Sequence, residues 1–180
     1  MRTRFLPRII VTAALLFGGA AGTGMAVAHS PEEQSAATSR TTSERQHGLV
    51  LEGSAPGVMV FVYENSLHGN SVQVVLGDPD DDRIGYAEQA EPFVVEGVLS
   101  ATVEIDGQPV TIDGTVSPGG RPTRIVEPMQ DGGEQIVTRG TNTPLAVDAS
   151  LTTAGSSVPL EFAPAFAYDL SVRRVTLYGR

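Results

Sequence analysis

The sequence predicts an all-β protein: a single antiparallel β-sandwich, Ig-like or jelly-roll-like, preceded by a signal peptide and a disordered spacer. Three observations predict it. From Leu49 onward apolar residues recur with period 2, and no window gives an amphipathic helix. The 20 Gly and 12 Pro cut these runs into short segments, the spacing of sandwiches and barrels. Two hairpins can also be built from their turns alone, with their apolar residues falling on one face.

Residues 1–28 have the order of a cleavable secretory signal. Arg2, Arg4 and Arg8 form a positive start, Ile9 to Phe17 an apolar stretch, and Ala26-Val27-Ala28 an A-x-A cleavage site. The apolar stretch is shorter than the ~20 residues a spanning helix needs. This N-terminal segment has no adjacent Arg pair and no Cys, so the general secretory route and a secreted, extracellular location are expected. Residues 29–46 hold no large apolar side chain, and such a segment cannot offset its ordering entropy. They are read as the disordered spacer, with the β-sandwich domain over 47–180.

Composition excludes several functions. Cys is 0, which removes thiolate metal sites, cysteine nucleophiles and disulfides. Without the three signal arginines the chain has nine Arg, no Lys and 21 acids. That balance disfavours nucleic acid and anionic membrane surfaces as partners.

The first hairpin runs from Leu99 to Val116 and turns at Asp106-Gly107, a type I′ pair. That register sets Val103 opposite Val110 and Ala101 opposite Ile112. The second runs from Leu145 to Phe162. Its Gly155-Ser156 suits a type II′ turn, which would set Leu151 opposite Leu160. Val58 to Tyr63 is apolar on both faces and is expected to be a central strand covered on both sides, paired with Val72 to Leu76 across a loop from Glu64 to Asn70. Residues 117–133 carry Pro118, Pro122 and Pro128, and form an edge strand or surface loop. The last strand changes phase between Val172 and Val175, which a β-bulge at Arg173 or Arg174 would repair.

Chemistry-bearing residues are sparse. Asp78, Asp80 and Asp82 place carboxylates at alternate positions of one acidic loop, an opening that suits Ca²⁺. The rest of the EF-hand pattern is missing: Arg83 stands at the sharp-turn position and Gln89 at that of the bidentate acid. His29, His47 and His68, with Met59 and Met129, show no transition-metal spacing. Arg121, Arg124, Arg139 and the pair Arg173-Arg174 could grip a carboxylate or phosphate, or pair with acids such as Glu127 and Glu134. No catalytic motif occurs, although His68 and paired acids such as Glu88 and Glu91 are available. The leading expectation is a non-enzymatic binding or interaction module, secreted or associated with the envelope, with an unknown partner there. A hydrolase with catalytic residues on dispersed loops and a calcium-stabilised extracellular domain are the alternatives. An enzyme predicts a concave pocket holding His68 or two acids. A module predicts an apolar patch near residues 121–129.

Overall fold

The computed structural model describes residues 38–77 and 83–178, and among these every regular element is a β-strand. Residues 1–37, which include the expected signal peptide, and Asp78, Asp80 and Asp82 lie outside the described residues. The strands in chain order are β1 (Thr38–Ala55), β2 (Val58–Asn65), β3 (Gly69–Leu76), β4 (Arg83–Gln89), β5 (Val94–Val95), β6 (Val98–Ile105), β7 (Gln108–Pro118), β8 (Thr123–Asp131), β9 (Glu134–Thr153) and β10 (Ser156–Tyr178). All pairings are antiparallel, and the hydrogen-bonded order is β4-β3-β2-β1-β10-β9-β7-β6-β5, with β8 also on β9.

Three long strands organise this sheet. The second half of β1 pairs with β2, and its whole length follows β10. Along one edge of β9, β8 pairs with residues 134–142 and β7 with 145–153. The first halves of β1 and β9, the end of β10, and β8 therefore form a four-stranded arm that continues from the core-bearing strands.

The core follows from strand alternation. In β6 every second residue (Leu99, Ala101, Val103, Ile105) is buried and the ones between are exposed. These side chains join Leu51, Val60, Val62, Val72, Val74, Val110, Ile112 and Leu151 in one cluster. Each fully buried aliphatic side chain stabilises the fold by about 1.5–3 kcal/mol. β4 packs closely on β6: a Cβ at Gly85 would lie 2.6 Å from Val103 Cγ2 and 2.7 Å from Ile105 Cγ1.

The first hairpin forms in the expected register, with Val103 opposite Val110 and positive φ at both Asp106 and Gly107. The β2–β3 pairing and the β8 edge strand also match expectation. Four features differ.

The second hairpin turns at Ala154-Gly155, both at positive φ, so Leu151 faces Val158 and Leu160 faces Ala149. This register differs by two residues, which keeps every side chain on its expected face. Residues 38–46, read as spacer, are the first half of β1. Their backbone pairs along one edge with the β10 ladder, so a strand forms without a large apolar side chain.

The last strand runs unbroken through Arg173 and Arg174. The register shift lies opposite Leu51–Gly53, where β10 holds one extra residue around the cis Ala163–Pro164 bond. The phase change stays because Arg174 occupies the apolar-side position and meets Glu44 (4.0 Å) and Glu134 (3.9 Å). Finally, β2 is central in order, but its second face is not fully covered. Met59 is exposed, and Phe61 and Tyr63 are half-buried.

Candidate functional site

The partly covered face of β2, β3 and β4 is assembled by register. Three cross-strand rows lie side by side: Met59–Val75–Ile84, Phe61–Gln73–Tyr86 and Tyr63–Ser71–Glu88. Ile84 and Tyr86 are each 57% exposed. The last row borders a cavity of about 400 Å³ lined by Tyr63, His68, Gly69, Asn70, Ser71, Glu88 and Gln89.

One asparagine fixes the loop that walls this cavity. Asn65 Oδ1 accepts from the Leu67 N–H (2.8 Å) and the His68 N–H (3.1 Å), closing an Asx-type turn. Its Nδ2 lies within hydrogen-bond distance of Gln46 Oε1 (3.0 Å), Tyr63 Oη (2.8 Å) and Tyr168 Oη (2.9 Å). The Tyr168 hydroxyl donates to the Glu64 carbonyl (2.9 Å). Asn70 Oδ1 accepts from the Asn65 N–H (3.2 Å), and its Nδ2 donates to the Ala90 carbonyl (2.8 Å). Gln46, Asn65 and Asn70 are all buried. A buried polar network satisfied in this way makes the loop rigid.

Two groups carry shifted titrations here. Burial raises the Tyr168 hydroxyl pKa, and hydrogen bonding with Tyr63 adds to it. Burial also raises the Glu64 carboxyl, opposed by backbone hydrogen bonds from Val94 (2.7 Å) and Phe93. A carboxyl raised on folding contributes stability that is complete below its unfolded value, near 4.5, and lost as pH rises through the folded value. Glu64→Gln has no such charge. The decline in unfolding free energy above pH 4.5 is expected to be shallower in this variant than in the wild type, as read from denaturant midpoints across pH.

On the exposed face the Tyr86 hydroxyl donates to Glu88 Oε1, which raises the Tyr86 pKa, while hydrogen bonding with Ser71 lowers it. Ser71, Tyr86 and Glu88 thus form one chain of polar groups beside the Tyr63 ring.

The sequence-derived candidates are dispersed. Asp78, Asp80 and Asp82 lie outside the described residues. Among the described residues no three His, Asp or Glu side chains come together as a metal would require. His68 and Glu88 share the cavity, and His47 lies in a neighbouring depression with Glu64, Asn65 and Pro92. Val126 and Met129 are exposed, but their even and odd positions in β8 put them on opposite faces, so these two do not share one patch. Arg174 pairs with Glu44 and Glu134, while Arg124, Arg139 and Arg173 lie on the other face of the arm. The sequence reading missed Tyr63 and Tyr86. The signal was there: period-2 alternation puts Phe61 and Tyr63 on the face opposite Val60 and Val62. Compared with known proteins, the chain matches no family model, no curated protein and no solved structure.

Proposed function

We propose that this chain is an exported, non-enzymatic β-sandwich module that binds a hydroxyl-rich ligand, a saccharide of the envelope or extracellular space, on the β2–β3–β4 face. The carrying observation is the set of rings on one sheet face, exposed Tyr86 with half-buried Phe61 and Tyr63, next to a preformed cavity lined by Tyr63, His68, Ser71 and Glu88. Flat aromatic surface takes the apolar face of a sugar ring, and neighbouring hydroxyl and carboxylate groups take its hydroxyls. The Asn65 network supports this reading because a fixed loop loses little entropy on binding. Export rests on the tripartite pattern of residues 1–28. The sandwich reading is supported by the contact of β4 with β6 across the core.

A hydrolase is the second reading, favoured by one observation: His68, Ser71 and Glu88 line the same cavity. The test is calorimetric titration of the mature chain with neutral oligosaccharides, alongside ester and glycoside hydrolysis assays. Saturable binding weakened about tenfold in Tyr86→Ala, with no turnover, is the expected result; a side chain of this kind is worth about 1–3 kcal/mol at a binding surface. Turnover abolished by Ser71→Ala would replace the module with the hydrolase.

A further inference from the structure

The arm carries a second surface, independent of the saccharide face. Alternation along its strands sorts charge by side. Glu44 (β1), Glu127 and Asp131 (β8) and Glu134 (β9) share one face with Arg174. The other face holds Arg45 on β1, Arg173 on β10, Arg139 on β9 and Arg124 on β8, with His47 and a single acid, Asp169. Four of the nine arginines outside the signal segment therefore meet on one side of a strongly acidic protein.

Their register makes a regular array. Arg45 and Arg139 flank Ser171, and Arg173 lies one row further along β10, opposite Val137. Arg124 lies one row the other way on β8, opposite Thr141. Diagonal neighbours on a sheet are about 8 Å apart. Arg173, Arg139 and Arg124 thus form an oblique line across three strands.

Two shallow depressions lie along this line. One, of about 600 Å³, is lined by Arg45, Arg124, Arg139, Thr141, Asp169 and Ser171. The other, of about 150 Å³, is lined by Ser43, Val137, Arg139, Ser171 and Arg173. Arg139 and Ser171 border both, so the two are continuous.

Arg45 is partly neutralised. Its Nε and Nη2 donate to both oxygens of Asp169 (3.0 and 2.7 Å), which lowers the Asp169 pKa. Among the described residues no carboxylate lies within 4 Å of Arg124, Arg139 or Arg173. All three are exposed. Charges beyond about 8 Å are largely screened at physiological ionic strength, so acids on the far side and in the core-bearing strands do not cancel this face.

We propose that this face binds a chain of phosphoryl groups laid obliquely across β10, β9 and β8, with Arg173, Arg139 and Arg124 as its guanidinium contacts. Each guanidinium offers a fork of N–H donors suited to phosphate oxygens, and Ser43, Ser171 and Thr141 add neutral hydroxyls between them. The elongated, continuous depression and the spaced arginines favour a linear ligand over a single ion. Asp169, which borders the larger depression beside Arg45, acts as a brake by neutralising that guanidinium.

The test is calorimetric titration of the mature chain with inorganic phosphate, pyrophosphate, a short polyphosphate and polyglutamate. Affinity is expected to rise along the phosphate series, to fall steeply with added salt, and to exceed that for polyglutamate. Arg139→Gln should weaken polyphosphate binding about tenfold, the worth of a charge-assisted hydrogen bond. Asp169→Asn should strengthen it, and Tyr86→Ala should leave it unchanged. Arg124→Gln, on the edge strand, repeats the test should Arg139→Gln fold poorly. Polyphosphate binding indifferent to both arginine substitutions, equal affinity for polyglutamate, or no binding at all would overturn the proposal.

Discussion

Gly48→Ala is expected to cost about 3 kcal/mol of stability and to open the walled end of the β2–β3–β4 face. A Cβ at Gly48 would lie 1.8 Å from the Glu64 carbonyl oxygen and 2.8 Å from Tyr168 Oη. The nearest obstacle is backbone, so no rotamer change relieves it. That carbonyl is also the acceptor of the Tyr168 hydroxyl, and Tyr168 in turn meets Asn65. Moving it would disturb the β1–β2 ladder and the buried network together. Gly69 is the control. It has nothing within 4 Å and φ of +84°, so alanine there meets only the left-handed backbone penalty of about 1–2 kcal/mol. Chemical denaturation of both variants checks the difference. Equal losses would mean that the crowding at Gly48 carries no special weight.

Asn65→Ala is the second large effect, with an expected loss of about 2–3 kcal/mol. The substitution strips the acceptor from the Leu67 and His68 amides and a donor from buried Gln46. Groups left buried without partners bear the full desolvation cost. Asn65→Asp separates the two roles. It keeps the oxygen that closes the turn but sets a second acceptor against Gln46 Oε1. Thermal unfolding reports the stability of both variants, and amide exchange at residues 66–70 reports the loop. Asp is expected to retain slow exchange in the loop at reduced stability, whereas Ala loses both.

How much of this was legible in the sequence can be judged residue by residue. The all-β class and the 99–116 hairpin follow from alternation and an Asp-Gly turn, both local signals. The 145–162 hairpin was displaced because Ala154 takes positive φ, which a small exposed residue at a turn tolerates and sequence does not announce. Residues 38–46 were read as spacer because apolar content marks strands, whereas this strand is held by its backbone ladder to residues 170–178, more than a hundred positions away. The same non-local pairing hid the arginine face. Arg45 lay in the presumed spacer. Arg173 and Arg174 look like one pair in sequence, yet alternation sends them to opposite faces, one to solvent and one to Glu44 and Glu134. Arg124 and Arg139 cluster in the sequence, but their expected partner Glu127 points the other way. The tyrosine face required knowing that β2 is only partly covered on that side, a fact of tertiary structure.

The most direct test of the central claim is a nuclear magnetic resonance titration of the isotope-labelled chain lacking residues 1–28 with a neutral oligosaccharide. Signals of residues 61–73 and 84–89 are expected to shift together and saturably, with the arm residues 123–141 unaffected. Shifts that leave Tyr63, Ser71, Tyr86 and Glu88 untouched, or that fall on the arm instead, would contradict a saccharide site on the β2–β3–β4 face.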